Sequence, residues 1–202
     1  MRLAVVSNLT SCFSYLRLVQ SSYKISNLLP ANETILLNDV YLVLLYVTRV
    51  PPHLLVSVNG KIFTLSVKGA TVDGELSALL NLIRKRHIET IFIRLQMPLL
   101  FTIEQLREEI RDCTLAYPRA DIGIATCLTP IKDFCHSVYD AETKNVHLIF
   151  DLLPKLQEIN AMRNCYHLNL DKYILENSFS LNIYEVNDVY EAIRNSALLH
   201  LT

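Results

Sequence analysis

Apolar and polar positions recur along this chain with two periods, and the changes of period mark the expected elements. Residues 2–7 form a short apolar run that reads as a buried strand. Between residues 11 and 29, Cys12, Leu16, Val19 and Tyr23 recur at helical spacing. That pattern predicts an amphipathic helix stopping at Leu29-Pro30, because the residue before a proline avoids the α region. Residues 34–37 and 40–48 are rich in β-branched residues, Tyr and Leu and read as extended, with Asn38-Asp39 as a tight turn between them.

The sharpest local signal lies at residues 53–68, where two alternating runs flank Asn59-Gly60. Both turn residues tolerate positive φ, as a type I′ hairpin turn requires. On the second arm Phe63, Leu65 and Val67 share the face better suited to the core, and Ile62, Thr64 and Ser66 share the other. Beyond the hairpin the periods alternate. Helices are expected over 75–87, from Thr102 past Cys113, from Thr129 to about Tyr139, over 152–162, and from Asn187 to about Leu199. Strands are expected over 89–95, 121–127, 146–150 and 179–185, with a short helical piece within 168–178. Thr102 with Gln105 forms a capping box, and Thr129-Pro130 suits a cap followed by a first turn. Strands alternating with helices of this length predict an α/β fold: a mainly parallel sheet with βαβ crossovers and an antiparallel hairpin at its edge, in a Rossmann-like or STAS-like order.

The STAS likeness rests on residues 54–163, which run hairpin, helix, strand, helix, strand, helix, strand, helix. In that order they resemble the sulfate-transporter and anti-sigma-antagonist (STAS) domains. That family carries a phosphorylatable serine in an Asp-Ser-Gly sequence opening the helix after the central strand. The matching stretch here is Pro98-Leu99-Leu100-Phe101-Thr102, so the resemblance leaves Thr102 as the hydroxyl standing in that place.

A length of 202 residues suits a single compact unit, divided as an N-terminal part (1–50) and an alternating part (51–202) with a boundary near Pro51-Pro52. Hydrophobic residues make up 51% and charged residues 19%, so a sizeable core is expected together with an apolar surface patch suited to a partner. The net charge is −1 and the one basic cluster, Arg84-Lys85-Arg86-His87, closes a helix, where cations complement the dipole. No basic stripe with interleaved aromatics is present, and nucleic acid is not expected as a partner. The longest apolar run, 40–47, is too short to span a bilayer. The first residues turn polar too soon for a signal peptide. Five cysteines without C-x-x-C spacing suit a reducing compartment, and a cytoplasmic protein is expected.

Only four glycines occur, at 60, 69, 74 and 123, and none belongs to a phosphate-binding or nucleophile-elbow pattern. Gly60 falls in the hairpin turn, Gly69 at its exit, Gly74 near a helix start and Gly123 within an expected strand. Neither a cofactor nor a metal is expected from the motifs. The candidate catalytic residues are Asp151, Thr102 and Thr129. Asp151 ends the apolar run 146–150, so it is either an acid at a strand's carboxyl end or a helix cap. Thr126 and Gln96 join the candidates at expected strand ends. Cys135 and His136 are adjacent, a spacing that sets helix side chains about 100° apart and argues against a dyad. Glu104 and Glu108 share a helix face that Arg107 and Arg111 interleave, as a solvated ion-paired face would. Ten tyrosines and no tryptophan occur, with Tyr166, Tyr173, Tyr184 and Tyr190 near the C-terminus. The leading expectation is a non-catalytic subunit or adaptor that binds a protein partner, or itself, through this Tyr-rich apolar C-terminal part. The alternative is an enzyme with a site at the strand ends, or a nucleotide-binding fold that has lost its phosphate loop.

Overall fold

The computed structural model describes residues 22–198. It opens with strands β1 (Ser22–Ile25) and β2 (Leu28–Pro30) and a one-turn helix α1 (Glu33–Leu36). Strands β3 (Val40–Leu45), β4 (His53–Val58), β5 (Lys61–Ser66) and β6 (Gly69–Glu75) follow, then helix α2 (Leu76–Lys85) and strand β7 (Thr90–Leu95). Helices α3 (Ile103–Leu115), α4 (Thr129–Tyr139) and α5 (Ile149–Glu158) come next in unbroken succession. Strands β8 (Met162–Leu168) and β9 (Phe179–Asn182) and helix α6 (Val186–Leu198) complete the described residues, with a 3₁₀ turn at Asp171–Tyr173.

The large sheet has the order β2-β8-β7-β3-β4-β5-β6, and β1 pairs with β9 in a separate two-stranded ladder. Every neighbouring pair in the large sheet is antiparallel except β2 with β8. The fold is therefore α/β around one mixed, mostly antiparallel sheet, and the expected mainly parallel sheet is corrected. Two of the strands that the parallel reading needed do not form. Residues 121–125 close a tight turn in which the Asp121 carboxylate accepts the Ile122 N–H, Asp121 and Ala125 form an isolated bridge, and Gly123 adopts φ +74°. Nothing lies within 4 Å of a Cβ placed at Gly123, so conformation rather than close packing requires that glycine. Residues 146–150 lead into α5, where Ile149, Leu152, Leu153 and Leu156 are buried at helical spacing. With both strands gone, the STAS-like element order is not kept.

The two faces of β3 explain the rest of the core. Val40, Leu42 and Leu44 join β4, β7 and helices α3–α5 in one apolar cluster. Tyr41, Val43 and Leu45 join Leu55, Phe92 and the Leu76, Leu80 and Ile83 face of α2 in another. All six residues of β3 are buried. A strand covered by helices on both sides reads as one continuous apolar run whether its neighbours are parallel or antiparallel.

The hairpin forms as expected: Val58 pairs with Lys61 across Asn59 (φ +46°) and Gly60 (φ +76°), and Phe63 and Leu65 are buried. It is not the sheet edge. A second tight turn pairs Ser66 with Gly69 and adds β6, whose two glycines and Asp73 hide it from a propensity reading. Gly69 thus opens β6, and Gly74 lies in that strand just before the start of α2. Pro51 and Pro52 lie in the β3–β4 connection.

The N-terminal expectations change as well. Residues 2–7 and 11–21 lie outside the described residues. The described part of the expected 11–29 helix is β1, a turn with Asn27 at φ +59°, and β2, held by the β9 and β8 pairings. Residues 33–36 are helical rather than extended because the Asn32 side chain accepts the Thr34 N–H at 2.9 Å.

Helix α3 is clamped to the edge strand β6 by one carboxylate. Asp73 accepts from Arg107 at 3.1 Å and from Arg111 at 2.8 Å. Its partial burial opposes ionisation, but the two guanidiniums outweigh that and hold its carboxyl below the usual range. Asp73 also adopts φ +55°, which asparagine tolerates better than alanine does. Asp73→Asn is expected to cost about 1 kcal/mol in urea unfolding at pH 7, and Asp73→Ala about 1 kcal/mol more. The carboxylate's stabilisation is lost as pH falls through its lowered folded pKa, so the gap between wild type and Asp73→Asn closes in acid.

Candidate functional site

The sequence-level candidates separate to opposite ends of the sheet. Leu45 pairs with His53 and Thr90 at one end, and Val40 pairs with Val58 and Leu95 at the other. Gln96 follows Leu95 at the second end, where its side-chain oxygen accepts from Arg163 and its amide donates to the Met97 carbonyl at 3.1 Å. Thr102 continues from the same end as the N-cap of α3. Its hydroxyl accepts the Gln105 N–H at 3.2 Å while Gln105 accepts the Thr102 N–H at 2.8 Å.

Thr126, Thr129 and the turn before Asp151 gather at the first end, around α6. Thr129 is the first residue of α4 rather than its cap. Its hydroxyl accepts the Thr126 N–H at 2.9 Å, and the Thr126 hydroxyl accepts the Leu128 N–H at 3.2 Å. Asp151 is the third residue of α5, and its carboxylate accepts the N–H groups of His147 at 2.9 Å and Leu148 at 2.8 Å. Of the two readings of Asp151 the strand-end acid falls away and the helix-start cap holds, because residues 149–158 are helical and leave those two amides without intrahelical partners. In α6 the same capping chemistry falls to Asp188, which accepts the Glu185 N–H at 2.7 Å, and not to Asn187.

Two clefts flank α6. One, of about 160 Å³, is lined by Thr126, Thr129, Lys132, His147, Val189 and Tyr190. Lys132 donates to the Val146 carbonyl at 3.2 Å, and the amino end of α4 opens on the same cleft. The other, of about 200 Å³, is apolar and lined by Pro51, Leu65, Val67, Ala120, Ala192 and Ile193, among others. Lys132 and His147 are not among the candidates read from the sequence, and Tyr190 is there only as one of the C-terminal tyrosines. Lys132 stands three residues after Thr129, a spacing that puts both on one helix side, and this was the available signal.

Cys135 is buried in the core while the exposed His136 ring contacts the Ala141 carbonyl at 3.0 Å, so the two do not meet. Burial, together with nearby Glu109, Asp133 and Asp112 for Cys113, pushes the Cys113 thiol up to about 12. Burial does the same to Cys135, to about 12, and to Cys165, to about 11. Thiols so raised are almost wholly protonated at neutral pH and are poor nucleophiles. Arg107 and Arg111 pair with Asp73 across to β6 rather than with Glu104 and Glu108 on their own helix. Among the described residues no group of three or more His, Cys, Asp or Glu is placed to hold a metal ion, and no helix is long and apolar enough to cross a membrane. The chain has no significant match to a protein-family model, a curated protein or a solved structure.

Thr102→Ala and Asp151→Ala are each expected to lower unfolding stability by about 1 kcal/mol, read from the denaturant midpoint, because each removes a helix-start acceptor. At pH 7.5 the native protein is expected to leave Cys113, Cys135 and Cys165 unalkylated by iodoacetamide over a time in which urea-unfolded protein reacts at all three. Peptide mass mapping reads the difference.

Proposed function

We propose that this protein is a non-catalytic α/β subunit that works by binding another protein. The observation that carries this reading is the β7–α3 connection. Leu99 is 99% exposed and Leu100 is 90% exposed. The loop presenting them is anchored at both ends: β7 lies within the sheet, and the Thr102–Gln105 capping box fixes the start of α3. Two adjacent leucines on a fixed loop are costly to leave in water. Burying each against a partner would supply about 1.5–3 kcal/mol, the scale of an interface anchor.

The Tyr-rich C-terminal part supports the reading at fewer positions than its composition implies. Tyr166 and Tyr184 are buried, Tyr184 stacking edge-on to Phe150 with ring centroids 4.8 Å apart. Tyr173 and Leu175 remain exposed beside the 3₁₀ turn. A partner presenting an apolar groove is the chemistry that two projecting leucines fit.

The test is to isolate the protein under native conditions and measure the mass of what co-elutes. A stoichiometric partner is expected with wild type and with Asp151→Ala, and it is expected to be lost from Leu99→Asp/Leu100→Asp. The unfolding stability of that double variant is expected to stay within about 0.5 kcal/mol of wild type. Elution of wild type alone, or an undisturbed partner on the double variant, would overturn the reading.

A further inference from the structure

We infer that the cleft bordered by Asp39, Arg94, Gln96 and Arg163 at the end of the sheet is a binding site for a carboxylate. The inference does not rest on the partner-binding reading, although Met97, two residues before Leu99, lines the same cleft.

A break in the β7–β8 ladder builds the site. Ile93 pairs with Cys165 and Leu95 with Met162, so Arg163 and Asn164 together stand opposite Arg94. Met162 and Cys165 both pack with the main core, although three positions separate them. Ordinary alternation along β8 is thus interrupted, as at a β-bulge, which re-aims side chains. Arg94, Arg163 and Asn164 all line a cleft of about 200 Å³ with Asp39, Gln96 and Met97.

Hydrogen bonds hold the two guanidiniums in place. Arg94 lies directly across from Tyr41 in the β3–β7 register and donates from Nη2 to Asp39 at 3.0 Å. Arg163 donates through Nε to the Gln96 side-chain oxygen, and the Gln96 amide donates to the Met97 carbonyl at 3.1 Å. Gln96 is therefore a positioning residue, with both ends of its side chain engaged in aiming Arg163. Arg163 also borders a cleft beside Tyr23, but its Nε is held on the Gln96 side.

Charge selects the ligand. Arg94 and Arg163 bring two positive charges and Asp39 one negative charge, and among the described residues Arg163 pairs with no carboxylate. With Nε engaged, the two Nη groups of Arg163 remain as a fork that fits the two oxygens of a carboxylate. The single excess positive charge matches one such group. A dianionic phosphate exceeds it and meets the Asp39 carboxylate as well. The carboxylate arrives either on a free organic acid or on the acidic side chain of a bound protein.

NMR titration of the full chain reads the site through the Nε–Hε signals of Arg94 and Arg163. Propionate and a blocked Leu-Glu-Leu peptide are the probes, each against sodium chloride at equal ionic strength. A saturable shift at both arginines is expected with propionate for a free acid, and with the peptide alone for a protein's side chain. Arg163→Gln is expected to weaken the saturating probe about tenfold. Asp39→Asn removes the internal competitor for Arg94 and is expected to tighten binding about threefold, a gain that a damaged fold would not give. No saturable shift with either probe, or a shift that chloride reproduces, would overturn the assignment. So would unchanged affinity in Arg163→Gln, or inorganic phosphate binding more tightly than either probe.

Discussion

Strand β3 is buried on both faces and hydrogen-bonded on both edges, and the rest of the fold is arranged to satisfy it. Its six side chains alternate between the α2 layer and the α3–α5 layer, so neither layer can be removed without opening apolar surface on the central strand. The antiparallel neighbours β4 and β7 have residues facing both layers too, and α2 with the one-turn α1 on one side faces α3, α4 and α5 on the other. This three-layer arrangement is usually associated with parallel sheets, because βαβ crossovers place helices on the faces. Here the helices reach those faces by a different route. Helix α2 crosses from one sheet edge back to the middle, and α3, α4 and α5 form a single long excursion between two antiparallel neighbours.

Attachment weakens with distance from β3. Helix α3 buries Leu106, Ile110 and Thr114 and is tied to the edge strand by the Asp73 carboxylate. The β1–β9 ladder joins the main body through side chains: Ile25, Phe179 and Leu181 enter the main core, and Tyr23 and Tyr184 meet Phe150. Helix α6 borders clefts on either side, and none of its residues 186–197 is fully buried.

The candidate chemistry and the helix starts are the same residues. Threonine and aspartate side chains accept hydrogen bonds from free amides as readily as they position a substrate, and in this fold Thr102, Thr126, Thr129 and Asp151 do the former. Much of what the molecule leaves unused at the surface is apolar. Leu99, Leu100 and Leu175 project where a solubility-driven surface would carry charge, in keeping with a low content of charged residues.

Local chemistry was enough to determine several elements from the sequence alone. The Asn59-Gly60 hairpin, the Thr102–Gln105 capping box, the end of α4 at Tyr139 and the buried stripe of α2 all follow from interactions within a few residues. Tertiary structure decided the rest, wherever an apolar run was compatible with two states. Residues 146–150 are apolar enough for a strand, but the Asp151 carboxylate meets the His147 and Leu148 amides and the chain coils. Residues 22–30 have helical spacing, but β9 and β8 offer them edges to pair with. Strand direction, the clefts around α6 and the exposure of Leu99 and Leu100 depend on partners distant in the chain. Hydrophobic periodicity records that a face is covered, and only the folded molecule supplies what covers it.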